Sequence, residues 1–304
     1  QKEKASLERL RVELEKAISV LSKDAEARPL VFFIDELDRC RPTFAIEMLE
    51  RIKHLFDVEH LVFVLSIDKK QLEAAVGAVY GEKIESSEYL RRFFDMEFRL
   101  PQPDSKRFAS TQVQRFGLDE YFGERRRNHQ TEHDGHHLAE TIGELANIFR
   151  LSLRAIERAM ARVALVCNQT PTSQFLDPIL VAFLVILRIK NTELFEELAA
   201  GQVDPDQVMG YVRALPGGVS FADSRLGVII ETYLLTGDRD DHRKKTKIDK
   251  LKAAAEAKTD THEMFHAREI LQAMEYIPQG AYRRHHFSLS GMASKVEMAS
   301  LINS

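Results

Sequence analysis

The sequence lacks the features that define several common classes of protein. Its two cysteines, Cys40 and Cys167, are far apart and fit no metal-ligand spacing, which favours a reducing, cytosolic setting. The longest apolar run covers only residues 179–187, whereas a membrane-spanning helix needs about 20 apolar residues. We therefore interpret this run as a buried helix. No Gly-x-Ser-x-Gly motif is present, so the sequence offers no nucleophile elbow.

An excess of positive charge is also missing. The formal net charge is -4, so no overall basic field indicates nucleic acid as the main partner. Basic triplets at 125–127 and 243–245 do not change this interpretation, because such triplets are usually solvated. The first residues are polar and do not resemble a signal peptide, which again favours a cytoplasmic protein. Membrane association stays open for a full-length protein.

The first third of the chain alternates between strand and helix patterns. An unbroken apolar run at 30–34 and a mainly apolar segment at 61–67 predict strands that are buried on both faces, and residues 96–100 predict a third strand. Helical spacing predicts helices over the segments 3–22, from Pro42 onward, 69–79 and 87–94. This alternation is typical of a parallel sheet with crossover helices.

Strand patterns largely disappear after Pro103. Helical spacing covers the segments 104–117, 138–168, 174–200, 204–214 and 221–235. Residues 239–258 are densely charged and predict either an exposed helix or a mobile arm. The last twenty or so residues show little commitment to any structure.

A cluster of histidines lies in polar sequence over 123–137. Its members, with one neighbouring acid, are His129, His133, Asp134, His136 and His137. A metal site would need a rigid scaffold and supporting hydrogen-bond partners, and the pattern indicates neither. We therefore favour a solvated polar loop over a metal site.

Two acids follow directly on the first predicted strand. Asp35 and Glu36 leave its carboxyl end, which is where ligands of open α/β sheets bind. In P-loop NTPases the first acid at this position holds magnesium, and the second polarises the attacking water. Asp38 and Arg39 follow, where phosphates can be contacted. Acids at a strand end are often plain solubilising residues, so this pattern alone leaves both interpretations open.

Longer strings in this region match a known family. The segment 31–103 closely resembles the KAP family of P-loop NTPases, a branch near the AAA+ and STAND ATPases. The matching strings are Phe33-Ile34-Asp35-Glu36-Leu37-Asp38-Arg39-Cys40-Arg41-Pro42, Glu47-x-x-Glu50-x-Ile52-Lys53-x-Leu55-Phe56-Asp57-Val58, Val62-Phe63-Val64-Leu65-Ser66-Ile67-Asp68 and Tyr89-Leu90-Arg91-Arg92-Phe93. The family usually has Asp where this chain has Glu36, and Glu serves as a base at least as well.

The resemblance implies a set of site residues. Asp35 is similar to the Walker B residue that binds Mg²⁺, and Glu36 to the catalytic base. Asp68, or with less support Ser66, takes the place of a polar sensor near the γ-phosphate. Three arginines are also implied to contact ATP. Arg39 and Arg154, the latter as a second sensor, would contact the bound nucleotide. Arg92 would act as an arginine finger that reaches the nucleotide of a neighbouring subunit. An outward-facing helix arginine is an equally good interpretation of Arg154.

The resemblance also implies an architecture and partners. We predict an amphipathic helix over 1–24, a partial parallel α/β sheet over 25–103, a helical lid over 104–200 and a helical C-terminal region over 201–304. The implied cofactors are ATP and Mg²⁺. The implied partners are further copies of the chain and a protein bound by the C-terminal helices. Members of the family are often bacterial and associated with defence against phage or with membrane-linked assemblies.

The phosphate loop of such an enzyme is not found in these 304 residues. A working loop reads Gly-x-x-x-x-Gly-Lys-Ser/Thr, and none of the 14 glycines is followed by lysine. In the family this loop and the acidic strand are commonly separated by a long insertion, so we favour a loop that lies upstream. The alternative is a non-catalytic helical interaction module that retains a degenerate ATPase sheet. In either case we expect the chain alone to hydrolyse ATP poorly or not at all.

Overall fold

The computed structural model describes residues 2–21, 29–55, 58–101, 103–128, 131–171, 174–257, 261–282 and 288–301. The chain divides into two compact units, Gln1–Leu100 and Pro101–Ser304. The first unit contains a small parallel sheet and the second is helical in its described residues. The prediction of a partial P-loop sheet followed by a mostly helical region is confirmed. The finer division at residue 200 stays a prediction.

The first unit alternates helices and strands as its apolar pattern predicts. Its elements are α1 (Lys2–Leu21), β1 (Leu30–Asp35), a 3₁₀ turn (Leu37–Arg39), α2 (Pro42–Lys53), β2 (Leu61–Ser66), α3 (Lys69–Tyr80) and α4 (Ser86–Arg91). Pro42 occupies the first turn of α2, where its missing N–H is not needed. Asp68 caps α3 by accepting hydrogen bonds from two backbone amides.

One face of the sheet forms the core of this unit. β1 and β2 pair in parallel, with Leu30 opposite Leu61 and Asp35 opposite Ser66. Alternate side chains of the strands pack against a buried cluster from α2, α3 and α4, and these strand residues are Ile34, Phe63 and Leu65. Full burial of one such side chain would contribute about 1.5–3 kcal/mol, and these partly buried side chains each contribute a fraction of that to holding the helices on the sheet.

The opposite face of the sheet is exposed, so the prediction that both strands are buried on two faces is wrong. Phe33 is 79% exposed, and Val31, Val62 and Val64 are 39–42% exposed. These residues alternate with the packed ones along the strands. An apolar run is buried on both faces only when a layer of structure covers each of them, and such a layer lies over only one face in the part of the chain that the structure describes.

The predicted third strand over 96–100 is also wrong for the described residues. The segment is extended, but the sheet contains only β1 and β2. Its apolar side chains, Met96, Phe98 and Leu100, are 76%, 84% and 93% exposed. Between them, Glu97 accepts hydrogen bonds from Lys69 Nζ at 2.7 and 2.8 Å, which ties the segment to the start of α3. The alternation is that of a strand, but a strand needs a partner to form its ladder.

The second unit packs around one apolar helix. Its elements are α5 (Ser105–Arg115), α6 (Leu118–Arg127), α7 (Gly135–Ile148), α8 (Leu153–Gln169), α9 (Pro178–Lys190), α10 (Thr192–Ala200), α11 (Pro205–Arg213), α12 (Gly218–Ala222), α13 (Arg225–Thr236), α14 (Asp241–Ala255), α15 (His262–Tyr282) and α16 (Leu289–Leu301). Residues 178–187 of α9 are all buried, which confirms the buried-helix interpretation. None of the helices in the described ranges has the length and apolarity that crossing a membrane requires.

The prediction of a polar loop over 123–137 is wrong for most of its length. α6 continues to Arg127, and α7 begins at Gly135. Arg125 is 2% exposed, so it is not part of a solvated basic triplet. Its guanidinium donates hydrogen bonds to the carbonyl oxygens of Thr170, Pro171 and Gln174 at 2.7–3.1 Å. These bonds offset part of the cost of burying the charge, while the Nε–H has no hydrogen-bond partner in the described structure.

A buried carboxylate fixes the start of α9. Asp177 is fully buried and caps the helix by accepting hydrogen bonds from the amides of Ile179 and Leu180 at 2.9 and 3.3 Å. Its Oδ2 lies 2.7 Å from Nδ1 of His133 and accepts a hydrogen bond from the Thr131 hydroxyl at 3.1 Å. Asp177 therefore joins the segment before α7 to the central helix.

Most of the described part of the charged segment forms the helix α14 (Asp241–Ala255), which is attached by ion pairs and by partly buried apolar residues such as Ile248 and Leu251. α14 has no buried residue. Arg243 donates hydrogen bonds to both carboxylate oxygens of Asp238 at 2.7 and 2.6 Å. Lys247 forms ion pairs with Asp206 and Glu231. Between the two sequence alternatives, the structure favours an attached helix over a mobile arm.

The prediction that the C-terminal residues have little regular structure is also wrong for residues 289–301. Residues 289–301, expected to have little commitment to structure, form α16. Leu289, Met292 and Val296 of this helix are buried in the main core of the second unit. Their spacing is helical, but the glycine and serines between them weaken the apolar pattern.

We expect Asp177→Ala to lower the free energy of unfolding by about 3–5 kcal/mol, because it removes a cap and leaves several buried donors without an acceptor. Asp104→Ala is the matched control, since Asp104 caps α5 at an exposed position and its loss should cost about 1 kcal/mol. Urea unfolding followed by circular dichroism measures both. Equal losses would contradict a special role for the buried carboxylate.

The difference in free energy of unfolding between the wild type and Asp177→Ala should also depend on pH. Burial alone would raise the pKa of Asp177, but the attraction and hydrogen bond of His133, with bonds from Tyr233 and the Leu180 amide, lower it below its ordinary value of 3.8. The ionised carboxylate therefore stabilises the fold above the unfolded pKa, and this stabilisation is lost as the pH falls through the lower folded pKa. We expect the gap between wild type and Asp177→Ala to narrow on acidification below about pH 4. A gap that widens there would contradict this sign.

Candidate nucleotide site at the end of the parallel strands

Two oxygen-bearing side chains meet where β1 and β2 end. The register places Asp35 directly opposite Ser66, and paired strands lie about 4.8 Å apart. Asp35 is exposed, and its Oδ1 accepts a hydrogen bond from the backbone N–H of Glu36 at 2.8 Å. Directly opposed residues project from the same face of a sheet, so both side chains are available to one ligand.

Glu36 has an unusual backbone conformation at this point. Its φ of 57° and ψ of 23° lie in the left-handed region, which costs a residue other than glycine about 1–3 kcal/mol. The next residue, Leu37, is 2% exposed in the core of the first unit and anchors the turn. The chain therefore leaves the strand sharply and keeps the Glu36 carboxylate exposed beside Asp35. Strain of this kind concentrates at functional sites.

Arg39 lies on the same turn and contacts the predicted base. Its Nη1 is 3.1 Å from Oε1 of Glu36, and both side chains are 59% exposed. An exposed ion pair contributes about 0–1 kcal/mol. The pair is therefore easily exchanged for another partner, such as a phosphate.

The two candidates for the polar sensor differ in what they already bind. The carboxylate of Asp68 accepts hydrogen bonds from the amides of Lys70 and Gln71 at 3.0 and 3.4 Å, so it is used as the cap of α3. Ser66 instead lies opposite Asp35 in the sheet. The assignment of the sensor to Asp68, or with less support to Ser66, stays a prediction.

Two neighbouring arginines at the end of α4 are placed differently. Arg91 forms an ion pair with Glu88 at 2.9 Å. Arg92 is exposed, and its guanidinium carbon lies 4.6 Å from the ring centre of Tyr89. Tyr89 has no predicted role from the sequence, although its separation of three residues from Arg92 places both on one face of a helix.

Arg154 belongs to the second unit, in the first turn of α8. This helix begins at Leu153 and is capped by the hydroxyl of Ser152, which accepts a hydrogen bond from the amide of Ala155 at 3.2 Å. Arg154 is exposed. Its assignment as a second sensor stays a prediction.

The histidine cluster has a structural explanation. His133 is buried against Asp177, and His137 forms a capping box with Asp134 at the start of α7. His129 lies outside the described residues. Over the residues with described positions, no group of three or more His, Cys, Asp or Glu side chains is arranged to hold a metal ion.

Comparison with known proteins identifies the family. The chain matches the KAP family P-loop domain over residues 1–169. Since this match covers more than half of the 304 residues, the chain belongs to the KAP family of P-loop NTPases, as predicted from the sequence. Neither the curated proteins nor the solved structures contain a significant match to the chain. The family supports a nucleotide-binding, NTPase-like function.

The residues at the strand end suit the cofactors of such a family. P-loop NTPases bind their nucleotide together with Mg²⁺. The carboxylate of Asp35 and the hydroxyl of Ser66 are hard oxygen ligands, which Mg²⁺ prefers over nitrogen and sulfur. A triphosphate and the neighbouring acids, Asp35, Glu36 and Asp38, carry the same sign of charge, so a divalent cation between them would offset their repulsion.

We expect the free energy of unfolding of Glu36→Gly to exceed that of Glu36→Ala by about 1 kcal/mol, because only glycine adopts the left-handed conformation without strain. Both variants lose the contact with Arg39, so the comparison isolates the backbone. Thermal unfolding of the two proteins measures the difference. Equal stability would show that the turn at Glu36 stores no strain.

Proposed function

We propose that this chain is the Walker B part of an ATP-hydrolysing switch or motor, completed by a phosphate loop that these 304 residues do not contain. The observation that carries the proposal is the pair of adjacent exposed carboxylates, Asp35 and Glu36, at the end of β1 and opposite Ser66. Ligands of open parallel sheets bind at this edge.

Each residue has a distinct proposed role. Asp35 would hold Mg²⁺, which would supply charge neutralisation at the phosphates. Ser66 lies opposite Asp35 and, unlike Asp68, does not cap α3, so it is the better placed candidate for the polar sensor. Glu36 accepts a proton from the water that attacks the γ-phosphate. The cations Arg39 and Arg154 contact phosphate oxygens, while Arg92 reaches the nucleotide of a neighbouring copy. Their positive charges stabilise the negative charge that develops during phosphoryl transfer.

The exposed apolar surface of the first unit supports the proposal that a further segment, which carries the phosphate loop, completes this unit. Phe33 and its neighbours leave one face of the sheet uncovered, and Met96, Phe98 and Leu100 form a strand pattern without a partner in the described chain. Surfaces of this kind usually mark an interaction site. A further strand that carries the phosphate loop at its carboxyl end, with its following helix, would use both features.

The alternative proposal is a non-catalytic module that binds a protein partner. Its support is the absence of a Gly-x-x-x-x-Gly-Lys-Ser/Thr loop in these residues, together with the same exposed apolar face. The two proposals differ in the role of Glu36, which is a proton acceptor in the first and a surface residue in the second.

ATP hydrolysis by the complete gene product should depend on Glu36. We expect Glu36→Gln to lower kcat by about 10²–10⁴-fold, because the amide cannot accept the proton from water. The variant should retain bound nucleotide, since Gln has nearly the shape of Glu. Steady-state hydrolysis and filter retention of labelled ATP measure the two effects.

Glu82→Gln is the matched control, because Glu82 is exposed and lies away from the strand end in sequence. It should hydrolyse ATP like the wild type. If Glu36→Gln hydrolyses ATP at the wild-type rate, Glu36 is not the proton acceptor, and the non-catalytic module is favoured.

A further inference from the structure

Tyr89 and its neighbours form a polar cluster that the roles above do not explain. The Tyr89 ring packs against Tyr80 and Phe93, with ring centres 5.1 and 5.4 Å away, and the side chain is 7% exposed. Its hydroxyl donates a hydrogen bond to Oε1 of Glu50 at 2.7 Å. Tyr80 donates a second bond to the same oxygen at 2.7 Å.

The protonation states of Glu50 and Tyr89 favour these hydrogen bonds. The hydrogen bonds from Tyr80 and Tyr89 lower the pKa of Glu50, so its carboxylate is ionised at neutral pH. Burial, with the bonds to Tyr80 and Glu50, raises the pKa of Tyr89 well above its usual range, so its phenol stays a donor. The two hydroxyls and the carboxylate therefore keep the Tyr89 ring in one orientation.

Arg92 lies against the outer side of this ring. A solvent-exposed arginine loses about 2 kcal/mol of rotamer entropy when it is held in one conformation. Contact with an aromatic ring at 4.6 Å restricts the guanidinium in advance and stabilises it by cation–π attraction. Because Arg92 forms no ion pair with another residue of the described chain, its hydrogen-bond donors remain available, unlike those of Arg91.

We propose that Tyr89, itself oriented by Glu50, is a positioning residue that holds Arg92 ready to contact the phosphates of a nucleotide bound by a neighbouring copy. This inference rests on the proposed function. The cluster links α2, α3 and α4, since Glu50, Tyr80 and Tyr89 lie on these three helices. A shift of α4 relative to α2 would therefore change the orientation of Arg92.

A double-mutant cycle on the complete gene product tests the proposal. Arg92→Ala should lower kcat for ATP by about 10³-fold. Tyr89→Leu should lower kcat by about 10–100-fold without changing KM, because the guanidinium loses its support. In the Arg92→Ala background, Tyr89→Leu should cause no further decrease, since Tyr89 acts through Arg92. Decreases that multiply would overturn the proposal.

Conservative variants separate positioning from loss of the fold. Tyr89→Phe keeps the ring and loses the bond to Glu50, so its kcat should lie between those of the wild type and Tyr89→Leu. Glu50→Gln should behave like Tyr89→Phe and should also have no effect in the Arg92→Ala background. Arg91→Ala, which removes only a surface ion pair, should hydrolyse ATP like the wild type. A Tyr89→Phe protein as slow as Tyr89→Leu would contradict support by the ring.

Mixing two inactive proteins tests the action on a neighbour. Arg92→Ala retains Glu36, and Glu36→Gln retains Arg92, so mixed assemblies should regain part of the hydrolysis. Absence of recovery would overturn the contact between copies. The proposed function fails separately, when Glu36→Gln alone hydrolyses ATP at the wild-type rate. If Glu36→Gln is inactive while Arg92→Ala is not, the inference on Tyr89 fails together with the role of Arg92, and the assignment of Glu36 as the base stands.

Discussion

β1 and β2 are joined by backbone hydrogen bonds in a register that brings Asp35 beside Ser66. A slip of one residue would turn every side chain of a strand to the other face. The apolar contacts of Ile34, Phe63 and Leu65 with the helices oppose such a slip, because they require this register. The position of the acidic pair therefore depends on packing that begins several residues earlier in the same strands.

Local patterns in the sequence predict those parts of the fold that depend on neighbouring residues. The helix starting at Pro42, the two strands and the buried helix α9 all have the bounds or burial that their spacing indicates, within a few residues. Wrong predictions concern features that need a partner distant in sequence. Phe33 is exposed because one face of the sheet is uncovered, and residues 96–100 lack a pairing strand in the described chain.

The candidate site shows the same division. The positions of Asp35 and Glu36 at the end of β1 could be predicted because both residues follow a strand pattern directly. The contact of Glu50 with Tyr89 joins residues 39 positions apart, which no local pattern predicts. The placement of Ser66 opposite Asp35 and the use of Asp68 as the cap of α3 depend on the register and on the helix start, neither of which a sequence pattern specifies.

Arginines in this chain illustrate how environment decides a role. Arg125 is buried and bound to carbonyl oxygens, whereas Arg91 pairs with a neighbouring acid on an exposed surface. Arg92 stacks on a ring. All three occur in short basic stretches that look alike in the sequence, yet the first is buried in the fold and the last stays exposed against an aromatic ring.

The way in which α14 is attached has a consequence for the solution behaviour of the second unit. Ion pairs attach this helix together with apolar contacts from partly buried residues such as Ile248 and Leu251. Dissolved salt screens charge attraction, but it screens buried pairs much less than exposed ones. The acids of two of these pairs, Asp238 and Glu231, have side chains that are only 3% and 4% exposed. Rising ionic strength therefore weakens the attachment of α14 less than it weakens surface pairs such as that of Arg91 with Glu88.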